Sequence, residues 1–182
     1  GLQETAIRMA FSPTGEWIMA VTEDAVISKW DVETGRRIQS VETAHKLTPT
    51  DLQFSLNSEQ FVTSSKDMTA KLWDTRDMRV LTEYASDRAL NSAALSPILD
   101  HIVVGGGQDA SQVTTTAGRE GKFEAQFVHK IYASDIGRVR GHFGPINTLA
   151  VSPDGKQFVS GGEDGYVRLH TFDDDYFTRK YD

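Results

Sequence analysis

The sequence contains no cysteine, so neither a disulfide framework nor a thiolate metal site is available to it. It also lacks any run approaching the roughly 18 consecutive apolar residues that a membrane-spanning helix needs. No signal peptide is visible, because the first ten residues carry two charges and no sustained apolar core. Hydrophobic residues make up 38% and charged residues 25% of the 182 positions, which is ordinary for a soluble globular domain.

Basic residues are the minority among the charges, with 19 Lys and Arg against 26 Asp and Glu and a net charge of -7. An acidic total argues against a main role in gripping nucleic acid, which usually needs a basic domain. Two small basic clusters occur, Arg36-Arg37 and the group Lys130, Arg138, Arg140 and His142. We expect these to pair with neighbouring acids, and we expect no direct sequence-specific contact with nucleic acid.

The residues that are present repeat at a fixed interval, which is the first thing to test for in a sequence of this kind. Trp30-Asp31 and Trp73-Asp74 are 43 residues apart, and Asp24 and Asp67 keep the same interval. A spacing of 22 residues from His to Asp also occurs twice, in the pairs His45–Asp67 and His142–Asp164. Such shared spacing indicates an internal repeat.

Within a repeat, the pattern predicts short strands separated by tight turns. In the last repeat, the runs 148–152, 157–160 and 166–171 are rich in β-branched and aromatic residues. Between them lie the turn sequences Ser152-Pro153-Asp154-Gly155 and Asp164-Gly165. No segment keeps a helical period over several turns, so we predict an all-β fold.

Repeats of this length, with Gly-His near the start and Trp-Asp near the end, resemble the WD40 repeat, whose fold is the β-propeller. The resemblance implies about four blades of a seven-bladed ring. The repeat units lie at about 5–38, 41–80, 85–132 and 138–172, followed by a C-terminal strand or tail at 173–182.

The WD40 resemblance also implies a hydrogen-bonded chain in each blade that links a His, a Ser or Thr, an Asp and a Trp. The first repeat has Ala20 at the Ser/Thr position, and the fourth has His170 at the Trp position. The third has Asp109, with Gly105 and Thr115 at the other two positions. We expect the second blade to be the most rigid and the third the least regular. The residues assigned to these chains are His45, Thr63, Asp67, Trp73, His142, Ser160, Asp164, Asp24 and Trp30.

A more specific series of motifs covers about 91–176. It includes Gly105-Gly106-Gly107-Gln108, Gly121-Lys122-Phe123-Glu124-Ala125 and Gly141-His142-Phe143-Gly144-Pro145. With this series the sequence resembles the i-subunit family of eukaryotic translation initiation factor three. The resemblance implies a non-catalytic, cytoplasmic scaffold that tethers the b and g subunits of the factor and reaches the small ribosomal subunit indirectly. The alternative is a WD40 substrate receptor or signalling adaptor that binds peptides on the propeller face.

The resemblance also implies that a helix of the b subunit docks on the later blades. Carried to this sequence, the seam between the second and third repeats is the candidate docking site. The loop residues that we predict to line it are Gln39, Asn57, Ser58 and Glu59. The alternative interpretation is that they are solvent-facing turn residues.

The third repeat is longer than the others: Ser96 to Ser152 is 56 residues, against 41 for Ser55 to Ser96. We predict an insertion of about a dozen residues near 117–135, after the third strand of that blade. It would form a long outer hairpin or a short helix. We expect its apolar residues to pack on their own blade, the alternative being a partner surface. These residues are Phe123, Phe127, Ile131 and Tyr132.

The sequence offers no catalytic, cofactor or metal signature. Gly105-Gly106-Gly107 does not match the phosphate-binding glycine pattern, and a tight strand or bulge is the favoured interpretation. Asp173-Asp174-Asp175 lacks the spacing of a calcium loop, and we expect a solvated turn. The five histidines form no metal-binding pattern, and Gly-x-Ser-x-Gly is absent. We therefore predict that the protein is not an enzyme and needs no cofactor.

Overall fold

The computed structural model describes residues 4–12, 14–107 and 123–179. In this part of the chain, fifteen strands form four antiparallel sheets. Sheet 1 contains β1 (Ala6–Phe11), β2 (Trp17–Thr22), β3 (Ile27–Asp31) and β4 (Arg37–Val41). Sheet 2 contains β5 (Pro49–Phe54), β6 (Gln60–Ser65), β7 (Thr69–Asp74) and β8 (Val80–Ala85).

Sheet 3 contains β9 (Leu90–Leu95), β10 (His101–Gly106), β11 (Glu124–His129) and β12 (Asp135–Arg140). Sheet 4 contains β13 (Ile146–Val151), β14 (Gln157–Gly162) and β15 (Val167–Thr171). A short helix, α1 (Asp174–Thr178), follows. The all-β prediction is confirmed, with this one helical turn added.

Each sheet is a meander in which strands adjacent in sequence are hydrogen-bonded neighbours. We call β1, β5, β9 and β13 the inner strands, because they contact one another between sheets. We call the end of a sheet that holds its first-to-second strand turn the lower end, and the opposite end the upper end. The pairing slips by one residue near the start of every inner strand, which gives all four sheets the same register.

Consecutive sheets pack face to face around three buried apolar clusters. One cluster joins sheets 1 and 2 and is centred on Met19, Phe61 and Trp73. The second joins sheets 2 and 3 through residues such as Leu72 and Ile102, and the third joins sheets 3 and 4. Neighbouring side chains in a strand point to opposite faces of the sheet, so one strand contributes apolar side chains to the clusters on both faces. Phe61 and Val62 of β6, for example, belong to different clusters. Stacked antiparallel meanders of three to four strands, as here, are the arrangement of β-propeller blades.

The glycine run of the third repeat lies in and beside β10, as predicted. A bulge falls between Gly105 and Gly106. A Cβ on Gly106 would stand 2.1 Å from the main-chain oxygen of Ala89, and one on Gly105 would stand 2.8 Å from the Ile146 side chain. Close backbone approach therefore explains these glycines, with no bound phosphate required.

The predicted insertion is wrong in its position. The region near 124–135 contains β11, the third strand of sheet 3, so the extra residues precede this strand. Thr115, which we aligned with the Trp position of the third strand, lies outside the described residues. Phe127 is buried in β11, whereas Ile131 and Tyr132 are exposed in the β11–β12 turn. The spacing of Phe123, Phe127 and Ile131, about four residues apart, was compatible with a short helix. A strand that is buried on both faces, such as β11, is equally rich in apolar residues and shows no alternation.

The C-terminal segment also differs from the predicted strand or tail, because α1 occupies Asp174–Thr178. Asp173 caps this helix by accepting a hydrogen bond from the Tyr176 main-chain N–H. The ring of Tyr176 stacks on Phe172 at 4.1 Å and packs against the cluster between sheets 3 and 4. Among the described residues, no helix is both long and apolar enough to cross a bilayer.

Candidate functional site

The predicted hydrogen-bonded chain is assembled in sheet 2, where it runs from Trp73 near the lower end of β7 to the loop and turn at the upper end of the sheet. The Trp73 indole N–H donates to Thr63 Oγ1 at 2.9 Å, and Thr63 Oγ1 lies 2.7 Å from Nε2 of His45. Nδ1 of His45 lies 3.1 Å from Asp67 Oδ2. One assignment satisfies all of these contacts: Trp73 donates to Thr63, Thr63 to His45, and His45 Nδ1–H to Asp67.

The strands and turns explain why these four residues meet. Thr63 lies in β6 and Trp73 in β7, adjacent strands of one hairpin. Asp67 lies in the turn between those strands, where its carboxylate also accepts from the main-chain N–H of Thr69 at 3.0 Å. His45 lies in the β4–β5 loop, and the Lys46 N–H donates to Asp67 at 2.8 Å. The carboxylate thus fastens an inter-sheet loop to a hairpin turn.

Burial and hydrogen bonding set the charge states in this network. Burial lowers the pKa of His45, partly offset by the nearby Asp67 carboxylate. Burial alone would raise the pKa of Asp67, but hydrogen bonds from Thr69 and from the Lys46 N–H outweigh it and hold that pKa below its ordinary value. The network therefore favours a neutral imidazole beside an ionised carboxylate.

Sheet 4 keeps the contacts of the histidine with a hydroxyl and a carboxylate, and it lacks the bond from a Trp indole. His142 Nε2 lies 2.8 Å from Ser160 Oγ, and its Nδ1 lies 3.0 Å from Asp164 Oδ1. His170 stands in the register position of Trp73 and stacks on Phe158 at 4.5 Å. In place of the indole bond, Arg168 donates to Asp164 Oδ2 at 2.9 Å. Sequence reasoning missed Arg168, although an Arg four residues after the turn Asp is a readable signal.

Ser160, His142 and Asp164 are hydrogen-bonded in the sequence of contacts found in a hydrolase triad. Whether Ser160 could act as a nucleophile depends on the exposure of its hydroxyl. Ser160 is 1% exposed, and its hydroxyl is used by the imidazole. A substrate carbonyl cannot reach a nucleophile that is buried inside a sheet stack. The arrangement therefore fixes loops rather than attacking a substrate.

Sheet 1 holds a reduced version of the network. In sheet 1 the Trp30 indole N–H donates to Ser28 at 2.8 Å, and Thr22 donates to the Asp24 carboxylate. The structure thus places Asp24 and Trp30 in two separate contacts instead of one chain. In sheet 3, Asp109 and Thr115 lie outside the described residues.

The predicted partner-binding residues divide between two places. Asn57, Ser58 and Glu59 lie together in the β5–β6 turn at the lower end of sheet 2, where Asn57 donates to Glu59 at 2.7 Å. Gln39 lies in β4 and donates to the Asp77 carbonyl at 2.8 Å, so it bridges sheets 1 and 2. Its assignment to the seam between sheets 2 and 3 was wrong, because the outer strand of sheet 1 abuts the β7–β8 turn.

An exposed apolar group lies at the lower end of sheet 3. Ile98 in the β9–β10 turn and Ile131 and Tyr132 in the β11–β12 turn are all exposed. The two turns are tied together, since Lys130 Nζ lies 2.7 Å from Asp100 Oδ1. The spacing of Ile131 and Tyr132 was noticed in the sequence, but their exposure was not predicted.

The structure also shows a histidine that sequence reasoning left unassigned. His101 Nδ1 lies 2.7 Å from the Tyr176 hydroxyl, within hydrogen-bond distance, and burial lowers the pKa of His101 to about 4. The neutral ring therefore links β10 to α1. Within the described ranges, no group of three or more His, Asp or Glu residues is placed to hold a metal ion.

Comparison with known proteins places this geometry in a family. A model of the family EIF3I matches residues 2–182. The chain belongs to the EIF3I family. It is 53% identical over 175 residues to Eukaryotic translation initiation factor 3 subunit I of Bombyx mori, covering 96% of this chain and 53% of that protein. The protein of the same name from Nematostella vectensis is 52% identical over 166 residues, covering 91% and 51%.

A third relative shows a similar identity and a similar coverage of the two sequences. Eukaryotic translation initiation factor 3 subunit I of Botryotinia fuckeliana is 50% identical over 173 residues, covering 94% of this chain and 52% of that protein. The chain thus spans about half the length of the curated EIF3I relatives that it matches.

Proposed function

We propose that this EIF3I chain acts in translation initiation, as part of a non-catalytic scaffold in eukaryotic initiation factor 3. The observation that carries the proposal is the family match over residues 2–182. In the proposed role, the protein tethers the b and g subunits in the cytoplasm, and the small ribosomal subunit is reached through those partners. Its net charge of -7 supports an indirect contact with RNA over a direct one.

The fold supports a scaffold because its polar chemistry is used internally. The His45 and His142 networks fasten loops, and the Ser160 hydroxyl is enclosed. In the described part of the chain, the exposed turns and rim strands are surfaces that suit the binding of partners. The ring that we propose has seven blades: the relatives are about twice as long as the matched segment, which leaves room for about three more sheets.

We place the principal partner surface at the lower ends of sheets 2 and 3. The β5–β6 turn there presents Asn57 and Glu59, and the neighbouring sheet presents Ile98, Ile131 and Tyr132. A polar rim beside exposed aliphatic and aromatic groups is the composition of a protein-binding site. Such a surface suits an amphipathic helix, whose apolar face would cover the three exposed side chains.

The test is a pull-down of the b and g subunits on the tagged 182-residue chain. Asn57→Lys with Glu59→Lys changes the charge of the turn, and Tyr132→Asp removes the aromatic group. We expect each variant to reduce capture of the b subunit at least tenfold, as for loss of a central contact. The matched control is Thr14→Lys with Glu16→Lys in the β1–β2 turn of sheet 1, which stand in the register positions of Asn57 and Glu59 and make the same change of charge.

Co-sedimentation with small ribosomal subunits tests the wider proposal. We expect the chain to migrate with them only when the b and g subunits are added. If the Asn57→Lys, Glu59→Lys variant and the Tyr132→Asp variant both capture the b subunit as well as the unaltered chain does, this surface is not the binding site. Failure of the unaltered chain to bind either subunit would instead contradict the scaffold role and favour an adaptor of another kind.

A further inference from the structure

The β4–β5 loop and the β6–β7 turn form one surface at the upper end of sheet 2. The Lys66 N–H donates to the main-chain oxygen of Thr48 at 3.1 Å. The Lys46 N–H donates to the Asp67 carboxylate at 2.8 Å. These bonds hold the loop against the turn, so the exposed side chains of the two segments keep a fixed arrangement and are preorganised for binding.

Two exposed apolar side chains lie on this surface. Leu47 in the loop is 56% exposed, and Met68 in the turn is 48% exposed. Sheet 2 has sheet 1 on one side and sheet 3 on the other, so each of its faces is already covered by a neighbour. The exposure of Leu47 and Met68 is therefore a property of the upper end of sheet 2 and does not depend on any further sheet.

Met68 has a backbone conformation that disfavours a side chain. Its φ is 65°, in the left-handed region where a residue with a Cβ is strained, and the equivalent turn residue of sheet 4 is Gly165. Met78 also has a positive φ, of 53°, but its side chain is buried in the cluster between sheets 1 and 2. Packing accounts for Met78, whereas an exposed Met at a strained position indicates that its side chain contacts a partner.

Two lysines flank the apolar side chains. Lys46 directly precedes Leu47 in the loop, and Lys66 opens the turn that contains Met68; both lysines are exposed. Among the described residues, neither ammonium group forms an ion pair. The Asp67 side chain between them is 3% exposed and is occupied by the hydrogen-bonded network. Although the whole protein has a net charge of -7, this surface presents two positive charges around an apolar pair.

Acidic residues limit the basic surface on the side of sheet 1. The Ala44 N–H donates to the main-chain oxygen of Ala25 at 2.9 Å, which places the start of the same loop beside the β2–β3 turn. The exposed acids on that side are Glu23, Asp24 and Glu42. An acidic partner is therefore attracted to the end of sheet 2 and repelled from the end of sheet 1.

We propose that the upper end of sheet 2 binds an acidic segment of a partner protein, whose carboxylates pair with Lys46 and Lys66 and whose apolar side chain packs on Leu47 and Met68. Apolar groups inside a charged rim are the composition of a protein-binding surface. Single-stranded nucleic acid fits less well, since its sites use aromatic side chains where this surface has Leu and Met. The surface lies at the end of the sheet opposite to the one proposed for the b subunit, so this inference goes beyond the proposed function.

The experiment is fluorescence anisotropy of a labelled peptide with the full-length protein. The probe peptide carries Leu and Phe between runs of Asp and Glu, and a matched peptide carries Asn and Gln in place of the acids. We expect the acidic peptide to bind saturably and the matched peptide to bind about tenfold more weakly, with a difference that shrinks as the salt concentration rises. A third peptide with Ser in place of Leu and Phe should also bind more weakly, because it makes no apolar contact.

Charge reversal tests the lysines. Lys46→Glu with Lys66→Glu should weaken binding of the acidic peptide by about tenfold or more, because attraction becomes repulsion. The matched control is Arg36→Glu with Arg37→Glu, which makes the same change in net charge at two exposed positions toward the lower end of sheet 1. This control should leave peptide binding unchanged.

Two substitutions of Met68 separate binding from folding. Met68→Gly removes both the apolar contact and the backbone strain, so it should weaken peptide binding by about fivefold while the urea midpoint stays the same or rises. Met68→Ala removes the contact and keeps the strained φ, so it should weaken binding equally without raising the midpoint. A lower midpoint for Met68→Gly with unchanged peptide binding would assign the side chain to folding and overturn the proposal.

Two further results would overturn it. An acidic peptide that does not bind, or that binds the lysine and Met68 variants as tightly as the unaltered protein, has no site at this end of sheet 2. An oligouridine of equal charge that binds as tightly as the acidic peptide, and that loses binding in the lysine variant, would assign the surface to nucleic acid. The measurement contains neither the b nor the g subunit, so this proposal and the proposed function fail separately.

Discussion

Sheets 2 and 4 build the same His–Asp connection and complete it differently. In sheet 2, Thr63 joins His45 to the Trp73 indole, and Trp73 stacks on Phe61 with their planes 3° apart. In sheet 4, the Ser160 hydroxyl has no indole donor, and Arg168 binds the carboxylate from outside. The comparison indicates that fastening the loop requires only His and Asp, whereas filling the sheet interface requires the Trp.

The largest expected difference comes from removing the ring at the equivalent position in each sheet. Trp73 is fully buried between sheets 1 and 2, so Trp73→Ala should lower the free energy of unfolding by about 3 to 5 kcal/mol. His170 is half-buried, and His170→Ala should cost about 1 kcal/mol or less. Urea denaturation followed by circular dichroism measures both. Equal losses would mean that sheet 4 depends on its ring as much as sheet 2 does.

The next largest difference between the two sheets should come from removing the hydroxyl that contacts the histidine, Thr63 in sheet 2 and Ser160 in sheet 4. Thr63→Val keeps the shape but leaves the Trp73 N–H and His45 Nε2 without their buried partner, so it should cost about 2 to 4 kcal/mol. Ser160→Ala leaves only His142 Nε2 without its hydrogen-bond partner, so it should lower the free energy of unfolding by about 1 to 2 kcal/mol. Thr50→Val, at the edge of the same sheet, is a control that leaves this network intact. A larger loss for Ser160→Ala would contradict the comparison.

Much of this comparison follows from sequence, because it depends on local chemistry. The turn Asp, the His 22 residues before it and the Trp six residues after it are specified by repeat spacing, and they meet within one hairpin and its entering loop. The all-β fold followed from the same turns and alternating strands. These contacts are determined by positions inside a single repeat.

What sequence could not supply depends on packing between repeats. β11 was misplaced because a strand buried on both faces has no alternation to read, and α1 was missed because a one-turn helix has no periodicity. The location of Gln39 depends on which strand abuts the β7–β8 turn, and the Tyr176–His101 contact joins residues 75 apart. No local pattern encodes such contacts.

Acidification should weaken the neutral histidines that the structure buries. The pKa of His101 is lowered by burial to about 4, so the unfolded chain binds a proton there that the native chain does not bind between about pH 6.5 and 4. Stability should therefore fall as the pH drops through this window, by about 1 to 2 kcal/mol at about pH 5. The lowered pKa of His45 acts in the same direction, which adds a contribution from sheet 2.

Urea midpoints at about pH 7 and pH 5 measure this dependence. His101→Gln should reduce the pH dependence, because the glutamine does not titrate. A His129→Gln variant at the partly exposed neighbour is the control and should retain most of it. A pH dependence that survives intact in His101→Gln would assign the effect to other groups.

The smallest effect should come from giving sheet 4 the ring that sheet 2 has. His170→Trp places an indole over Phe158, in the register position of Trp73, with its N–H able to donate to Ser160 Oγ. One added hydrogen bond and a larger stacked ring should raise the free energy of unfolding by about 1 kcal/mol. Leu169→Trp, on the opposite face of the same strand, is the matched control and should not stabilise the isolated chain through this network. If His170→Trp destabilises sheet 4, then Arg168 and the Phe158–His170 stack already fill the space that the indole needs, and the two sheets are alternative solutions rather than a complete network and an incomplete one.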